Sequence, residues 1–235
     1  VSHGLWTDPA DVNVAPRMED AINQLQELYQ KKILAELPSY SFRQISPEEW
    51  QCVCKCGNLV TMGFELGKTK AKKAAAYDML YFIQGSRSIV VDPKTGATDD
   101  KKYATESLRA INIQSLYKIS NYKKNWDREE ALPFSIKLIR DIYFVLKKLD
   151  EQPTIGPLGE GNIQLEYYHA KSGYYLEVEF VPNGLIYCHS YIEGQKKTRR
   201  CEMDDIPAFV SEWLKQRGAY FARKKKQGTA EKMKP

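Results

Sequence analysis

Between Met18 and Gly85 the apolar residues change period twice, and few folds accept that order. In the stretch EDAINQLQELYQKK, Ile22, Leu25, Leu28 and Tyr29 recur at helical spacing on one face. Pro38 follows the end of that helix. SYSFRQI and WQCVCKCG then alternate, and NLVTMGFEL is a third strand candidate. From Lys68 to about Gln84 helical spacing returns, with Ala71, Ala74, Ala75, Met79, Leu80 and Ile83 on the apolar side. The order is α–β–β–β–α. Three short antiparallel strands have one face to cover, and a helix at each end can cover it.

The second helix opens GKTKAKK, with Lys68, Lys70, Lys72 and Lys73 in its first two turns. Unpaired N–H groups leave roughly half a positive charge at a helix N-terminus, so cations there are disfavoured. From Met18 to Gly85 there are eight basic and eight acidic residues, so the lysines are a local cluster on a neutral body. A polyanionic partner would explain them. An ordinary solvated lysine face is the competing explanation.

These residues carry a resemblance. LQELYQKK, the strand entry PSYSF with Tyr40, Gly63 near the end of the third strand, and Lys68, Lys72 and the alanines at 74–76 together resemble the double-stranded RNA-binding domain. That domain occurs at the end of bacterial ribonuclease III and in many eukaryotic RNA-binding proteins. It reads duplex RNA by shape across two minor grooves and the phosphates between them. The resemblance implies that Lys68, Thr69, Lys70, Lys72 and Lys73 face phosphates at the helix N-terminus. It also implies that Gln26, Glu27 and Gln30 reach a minor groove, where an amide suits a 2′-hydroxyl by both donating and accepting. A plain polar helix surface is the alternative for these three. The sequence departs from the family in the first strand turn. ISPEEW lacks the usual G-P-x-H and carries Glu48 and Glu49. Thr69 stands where a second lysine is usual, and Glu65 near a usual glycine. Weaker or more salt-sensitive binding is therefore expected.

Cys52, Cys54 and Cys56 would share one strand face with Trp50, over about 14 Å of backbone. Zinc sites use tighter clusters with a fourth ligand, so these three read as small buried hydrophobes. With Cys188 and Cys201, for which the sequence suggests no partner, they make an odd count of five. All five are expected to be reduced thiols in a cytoplasmic setting.

The second half has a helix carrying Leu108, Ile111, Leu116 and Ile119, an interruption NYKKNWDREEALPFS, and an amphipathic helix SIKLIRDIYFVLKKLD. Three strands follow, NIQLEYY, YYLEVEFV and LIYCHSYIE, with Asn183-Gly184 as a hairpin turn. IPAFVSEWLKQRG closes with a helix. The N-W-D, Q-L-E-Y and L-E-V-E stretches resemble a small, largely uncharacterised bacterial domain. Trp126 reads as a core anchor and Asp127 as a cap or turn residue. Glu166, Glu177 and Glu179 are expected on one exposed face, paired with Lys196, Lys197, Arg199 or Arg200 across the sheet. A metal or acid–base role is the minor alternative for them, and His169 and His189 lack a sequence neighbour to join.

The expected fold class is α+β. It comprises a leader (1–17), an RNA-binding-like domain (18–85), a linker (86–103), a second α+β domain with a three-stranded antiparallel meander and closing helix (104–217), and a basic tail (218–235). The tail from Arg223 to Pro235 has six basic residues and one acidic, equal to the whole chain's net charge of +5. It reads either as a solvated, disordered end or as a loose attractor of nucleic acid. The first residues lack the basic start and apolar core of a signal peptide, and no run of about 18 apolar residues suggests a membrane span. The acidic signature of a ribonuclease III catalytic domain, a phosphate loop and metal-ligand spacings are absent. The expected function is that of a non-enzymatic protein binding double-stranded or structured RNA, without cofactor, its C-terminal domain binding a protein partner. The alternative is a regulatory interaction module, dimerising or inhibiting a neighbouring gene's product, with a degenerate RNA-binding domain.

Overall fold

The computed structural model describes residues 17–85, 100–169, 174–192 and 195–232. The expected leader up to residue 16 and the VDPKTG turn of the linker lie outside the described residues, as does the start of the SGYY turn. The chain is mixed α+β and divides into two compact units, 1–118 and 119–235. Each is described by itself.

The first unit runs α1 (Ala21–Gln30), β1 (Ser39–Gln44), β2 (Glu49–Cys56), β3 (Leu59–Leu66), α2 (Lys68–Gly85) and most of α3 (Asp100–Ser120). The strands form an antiparallel sheet in the order β1-β2-β3. Gly57 and Asn58 make the β2–β3 turn, and Gly57 has φ 57°, which glycine adopts without strain. On one face Cys52, Cys54 and Cys56 pack with Leu25 and Leu28 of α1 and with Ala71, Ala75, Met79 and Ile83 of α2. Alternation along β2 puts the three thiols in this core, as their spacing requires.

Gly63 sets how closely α2 lies on the sheet. A Cβ there would stand 2.2 Å from the Ala71 carbonyl oxygen and 2.7 Å from the Ala75 nitrogen. Both are backbone atoms and neither can swing aside. The small side chains of Ala71 and Ala75 complete the close approach, and buried Thr61 donates its hydroxyl proton to the Ala75 carbonyl at 2.7 Å.

The other sheet face is also buried, at Gln51, Val53, Val60, Met62 and Phe64. α3 makes contacts around this part of the unit. Gln114 Nε2 donates to the Asn58 carbonyl at 2.8 Å, and Lys55 Nζ lies 4.6 Å from the Tyr117 ring centroid. The division between units accordingly falls inside α3, where the sequence suggests a second domain starting at residue 104. α3 also begins at Asp100, inside the expected linker.

The second unit has α4 (Ile136–Lys148), β4 (Thr154–Pro157), β5 (Ile163–His169), β6 (Tyr174–Phe180), β7 (Ile186–Ile192), β8 (Gln195–Arg200) and α5 (Ile206–Lys232). Its sheet is a five-stranded antiparallel meander, β4 through β8 in sequence order. This corrects the expected three strands. β4 is TIGP, too short and too rich in turn residues to read as a strand, and β8 is QKKTRR, with no apolar alternation. The backbone of α5 continues as helix to Lys232, through most of the basic tail, for which a disordered end is one of the two readings.

Ser135 caps α4, its Oγ accepting from the Leu138 N–H at 3.1 Å. Before it, Trp126 stacks on Tyr122 at 5.0 Å and donates its indole N–H to the Leu132 carbonyl at 3.2 Å. Asp127 Oδ1 accepts from the backbone N–H groups of Glu129 and Ala131, so it is a turn residue. Cys188 and Cys201 form a disulfide. That corrects both the expectation of five reduced thiols and the absence of a partner for these two. The pair is 13 residues apart and joins β7 to the segment after β8, so only the meander brings it together.

Two outcomes follow. Gly63→Ala is expected to destabilise the first unit by roughly 2–4 kcal/mol, because backbone must move; urea unfolding measures it, and an unchanged midpoint would refute the close approach. Reduction, or Cys188→Ser, is expected to lower the stability of the second unit by about 2–3 kcal/mol, the effect of closing a loop of this size; thermal melts with and without dithiothreitol check it.

Candidate nucleic-acid interface

α2 starts at Lys68, directly after Gly67, whose φ of 91° turns the chain into the helix. Gly67 N–H donates to the Glu48 carbonyl at 2.8 Å, tying the β1–β2 turn to the helix start. That turn is held by Ser46, whose Oγ accepts from Glu49 N–H, and by Gln44, whose amide donates to the Pro47 carbonyl. Glu48, whose backbone meets the helix start, has an exposed side chain, and that of Glu49 is half-buried.

The lysines do not form one solvated face. Lys68 Nζ lies 4.6 Å from the Phe42 ring centroid and 5.6 Å from that of Trp50. Lys72 Nζ lies 4.5 Å from the Tyr40 ring centroid. The spacing explains the match: four residues along a helix rise about 6 Å, and two residues along a strand about 7 Å. Lysines at i and i+4 on α2 can therefore sit over aromatics at i and i+2 on β1. Each contact is worth about 0.5–1 kcal/mol at an exposed site, comparable to the roughly 0.3–1 kcal/mol by which a cation at a helix N-terminus is disfavoured. The ring faces thus answer part of the puzzle without any ligand, and they hold the two ammonium groups in place.

The other members of the cluster differ. Lys73 pairs with Glu19, just before α1, and this cation, with Lys70 behind it, holds the exposed Glu19 carboxyl below its ordinary range. Lys70 and Thr69 are exposed. Gln26, Glu27 and Gln30 are exposed on α1, and no hydrogen bond or ion pair links them to the α2 lysines. Tyr40, Phe42 and Trp50 are the residues that sequence reasoning did not assign to this site. Their alternation on β1 and β2 was visible, but their place under lysines depends on how α2 lies on the sheet.

Under the lysines lies the buried core of the unit. Burial pushes the thiols of Cys52 and Cys54 up to about 12 and that of Cys56 to about 11. Burial, then the neighbouring thiols, likewise raises the Tyr40 phenol, which hydrogen-bonds to Cys54.

On the second unit's sheet the expected pairing of carboxylates with β8 cations is not what the structure shows. Glu166, Glu177, His189 and Thr198 lie in one cross-strand row. Tyr175 Oη lies 2.7 Å from Glu177 and 3.1 Å from Glu166, and Asn162 donates to Glu179 at 2.6 Å. His189 Nδ1 lies 2.9 Å from Thr198 Oγ1, and its Nε2 is 3.7 Å from Glu179. Lys196 instead lies over Tyr191 and Arg199 over Phe209. Glu177, Glu179 and His189 could each offer one ligand atom to a metal ion, all within 4.8 Å of one another.

No protein-family model matches the chain. A stretch of 74 residues, 29% of the chain, is 38% identical to Ribonuclease 3 of the bacterium Roseburia hominis. The match spans 20% of that protein's length. Among the described residues, no helix is long and apolar enough to cross a membrane.

The buried thiols set a pH dependence. Their folded pKa values lie above the ordinary 9.0, so burial of the neutral thiols stabilises fully below about 9 and is lost as pH rises through about 11–12. Stability of the first unit is expected to fall across that window, and a Cys52→Ala/Cys54→Ala variant is expected to fall less. Equal alkaline loss in both would place the cause elsewhere.

Proposed function

We propose that the first unit binds double-stranded or structured RNA by shape and phosphate contacts, using the domain arrangement that its α–β–β–β–α order resembles. The observation that carries this reading is the placement of Lys68 and Lys72 at the α2 N-terminus, held by Tyr40, Phe42 and Trp50. There the ammonium groups and the free N–H groups of the first turn can act on one phosphate track. The partial similarity to Ribonuclease 3 supports it. Gln26, Glu27 and Gln30 are read as the minor-groove contact, and Thr69, Lys70 and Lys73 as lesser contributors, Lys73 because Glu19 already neutralises it. The protein is read as non-enzymatic and cytoplasmic, with the second unit engaging a protein partner.

The exposed carboxylate of Glu48, in the turn tied to the helix start, favours a second reading. A phosphate-lined groove is repelled there, as it would be in a protein-interaction module whose RNA binding has degenerated. Such a protein is expected to sediment as a dimer or with a co-purified partner after nuclease treatment.

Gel-shift titration with a 20-bp RNA duplex, the same DNA duplex and single-stranded RNA separates the two. Preference for duplex RNA at physiological salt is expected. Lys68→Ala with Lys72→Ala should lower affinity and reduce the salt slope by about 2. Lys73→Ala should change it less. Equal binding of all three probes, lost with salt, would move the assignment to the second reading.

A further inference from the structure

The outer face of the β4–β8 sheet holds negative charge that its lysines and arginines do not balance. Glu166 on β5 and Glu177 on β6 are direct cross-strand partners, and like charges so placed repel. Glu179 stands on the same face, two residues along β6. Lys196, which β8 places on this face opposite Tyr191, lies over that ring instead. Among the described residues, the basic group that meets these carboxylates is His189, opposite Glu177 on β7, with its Nε2 3.7 Å from Glu179 Oε2. The side chains of His189 and Glu179 are 19% and 22% exposed, enough for an ion to enter and little enough for water to screen them poorly.

What stands behind the cluster separates it from a mere gathering of acids. Each group is held at one atom by a neutral residue. Tyr175 Oη donates to Glu177 Oε2 at 2.7 Å, and buried Asn162 donates to Glu179 Oε1 at 2.6 Å. Thr198 Oγ1 lies 2.9 Å from His189 Nδ1. When Nδ1 carries the ring proton and donates it to Thr198, the lone pair is at Nε2, on the carboxylate side. A lone pair facing carboxylates is unfavourable unless a positive charge lies between them. Metal-binding histidines are oriented in this way, by donating the other ring N–H to an outer partner. The 3.7 Å between Nε2 and Oε2 is close to the roughly 3.4 Å between two ligands of a tetrahedral zinc ion. With all three ligand atoms within 4.8 Å of one another, closing on an ion takes side-chain movement of about 1 Å.

We propose that Glu177, Glu179 and His189 bind a divalent transition-metal ion of the zinc type. Its charge offsets the two carboxylates and faces the Nε2 lone pair. The imidazole selects it over magnesium and calcium, which prefer oxygen ligands alone. Three protein ligands leave a coordination position open, as in sites that hold water or a substrate and unlike closed four-ligand structural sites.

The test uses the full chain, stripped with a chelator and dialysed. Zinc is titrated while the histidine ring C–H signals are followed by proton NMR. The chain has three histidines, and His3→Ala and His169→Ala assign the His189 signal by elimination without touching the cluster. That signal is expected to shift saturably with one zinc per chain and to stay in place with magnesium. Glu177→Gln/Glu179→Gln, which keeps both side-chain sizes, is expected to weaken zinc at least about tenfold, and Thr198→Val roughly tenfold. Zinc should raise the melting temperature of the wild type and not that of the double variant; if the double variant does not fold, Glu177→Gln alone gives the comparison. Cobalt distinguishes this site from the cysteines, since nitrogen and oxygen ligands give visible d–d bands without a thiolate charge-transfer band. No saturable shift at His189, an affinity unchanged in the glutamine variant, or cobalt bound with the thiolate band alone would each overturn the proposal and leave the face a polar network without an ion.

Discussion

The close seating of α2 on β3 is the constraint on which the first unit depends. Gly63 lets two backbones approach to a distance that a single Cβ would block, and Thr61 bonds across the contact to the Ala75 carbonyl. A helix seated at that depth has little freedom to rotate or slide, because interiors pack densely and Ala71, Ala75 and Met79 are fully buried. Its phase therefore decides which residues reach the aromatic rings of β1 and β2, and they are Lys68 and Lys72.

Those lysines then meet β1. Their ammonium groups lie over Tyr40, Phe42 and Trp50, whose ring faces carry negative quadrupole charge. The helix dipole opposes a cation at this end, and the rings offset it by a similar amount. A positive edge is thus tolerated in the free protein. Lys73 follows the opposite course, since Glu19 holds it against the body of the unit.

The second unit solves a different problem. A five-stranded open sheet has two edges, and β8 closes one of them with charge, carrying lysine and arginine on both faces. On the outer face the carboxylates are bonded to Tyr175 and Asn162 in place of those cations. On the helix-facing side the cations border a cavity lined also by Phe209. The disulfide joins Cys188, on the buried side of β7, to Cys201 after β8 and fixes that edge strand to the rest.

Much of this was legible in the residues. The change of apolar period located α1, the first three strands and α2; alternation put Cys52, Cys54 and Cys56 in the core; Asn183-Gly184 marked a hairpin. These are local signals, set by the 3.6- and 2-residue periods of helix and strand. What the sequence could not show depends on residues far apart in the chain. β4 and β8 have no pattern of their own and are strands because neighbours supply their hydrogen bonds. Cys188 meets Cys201, and His189 meets Glu179, only through the meander. The sequence by itself determined the helical and alternating stretches of the first unit's α–β–β–β–α order and where the lysines lie. Tertiary structure alone decided that two of those lysines rest on aromatic rings while a third is neutralised, because helix depth and phase are set by packing against the sheet, not by anything within the helix.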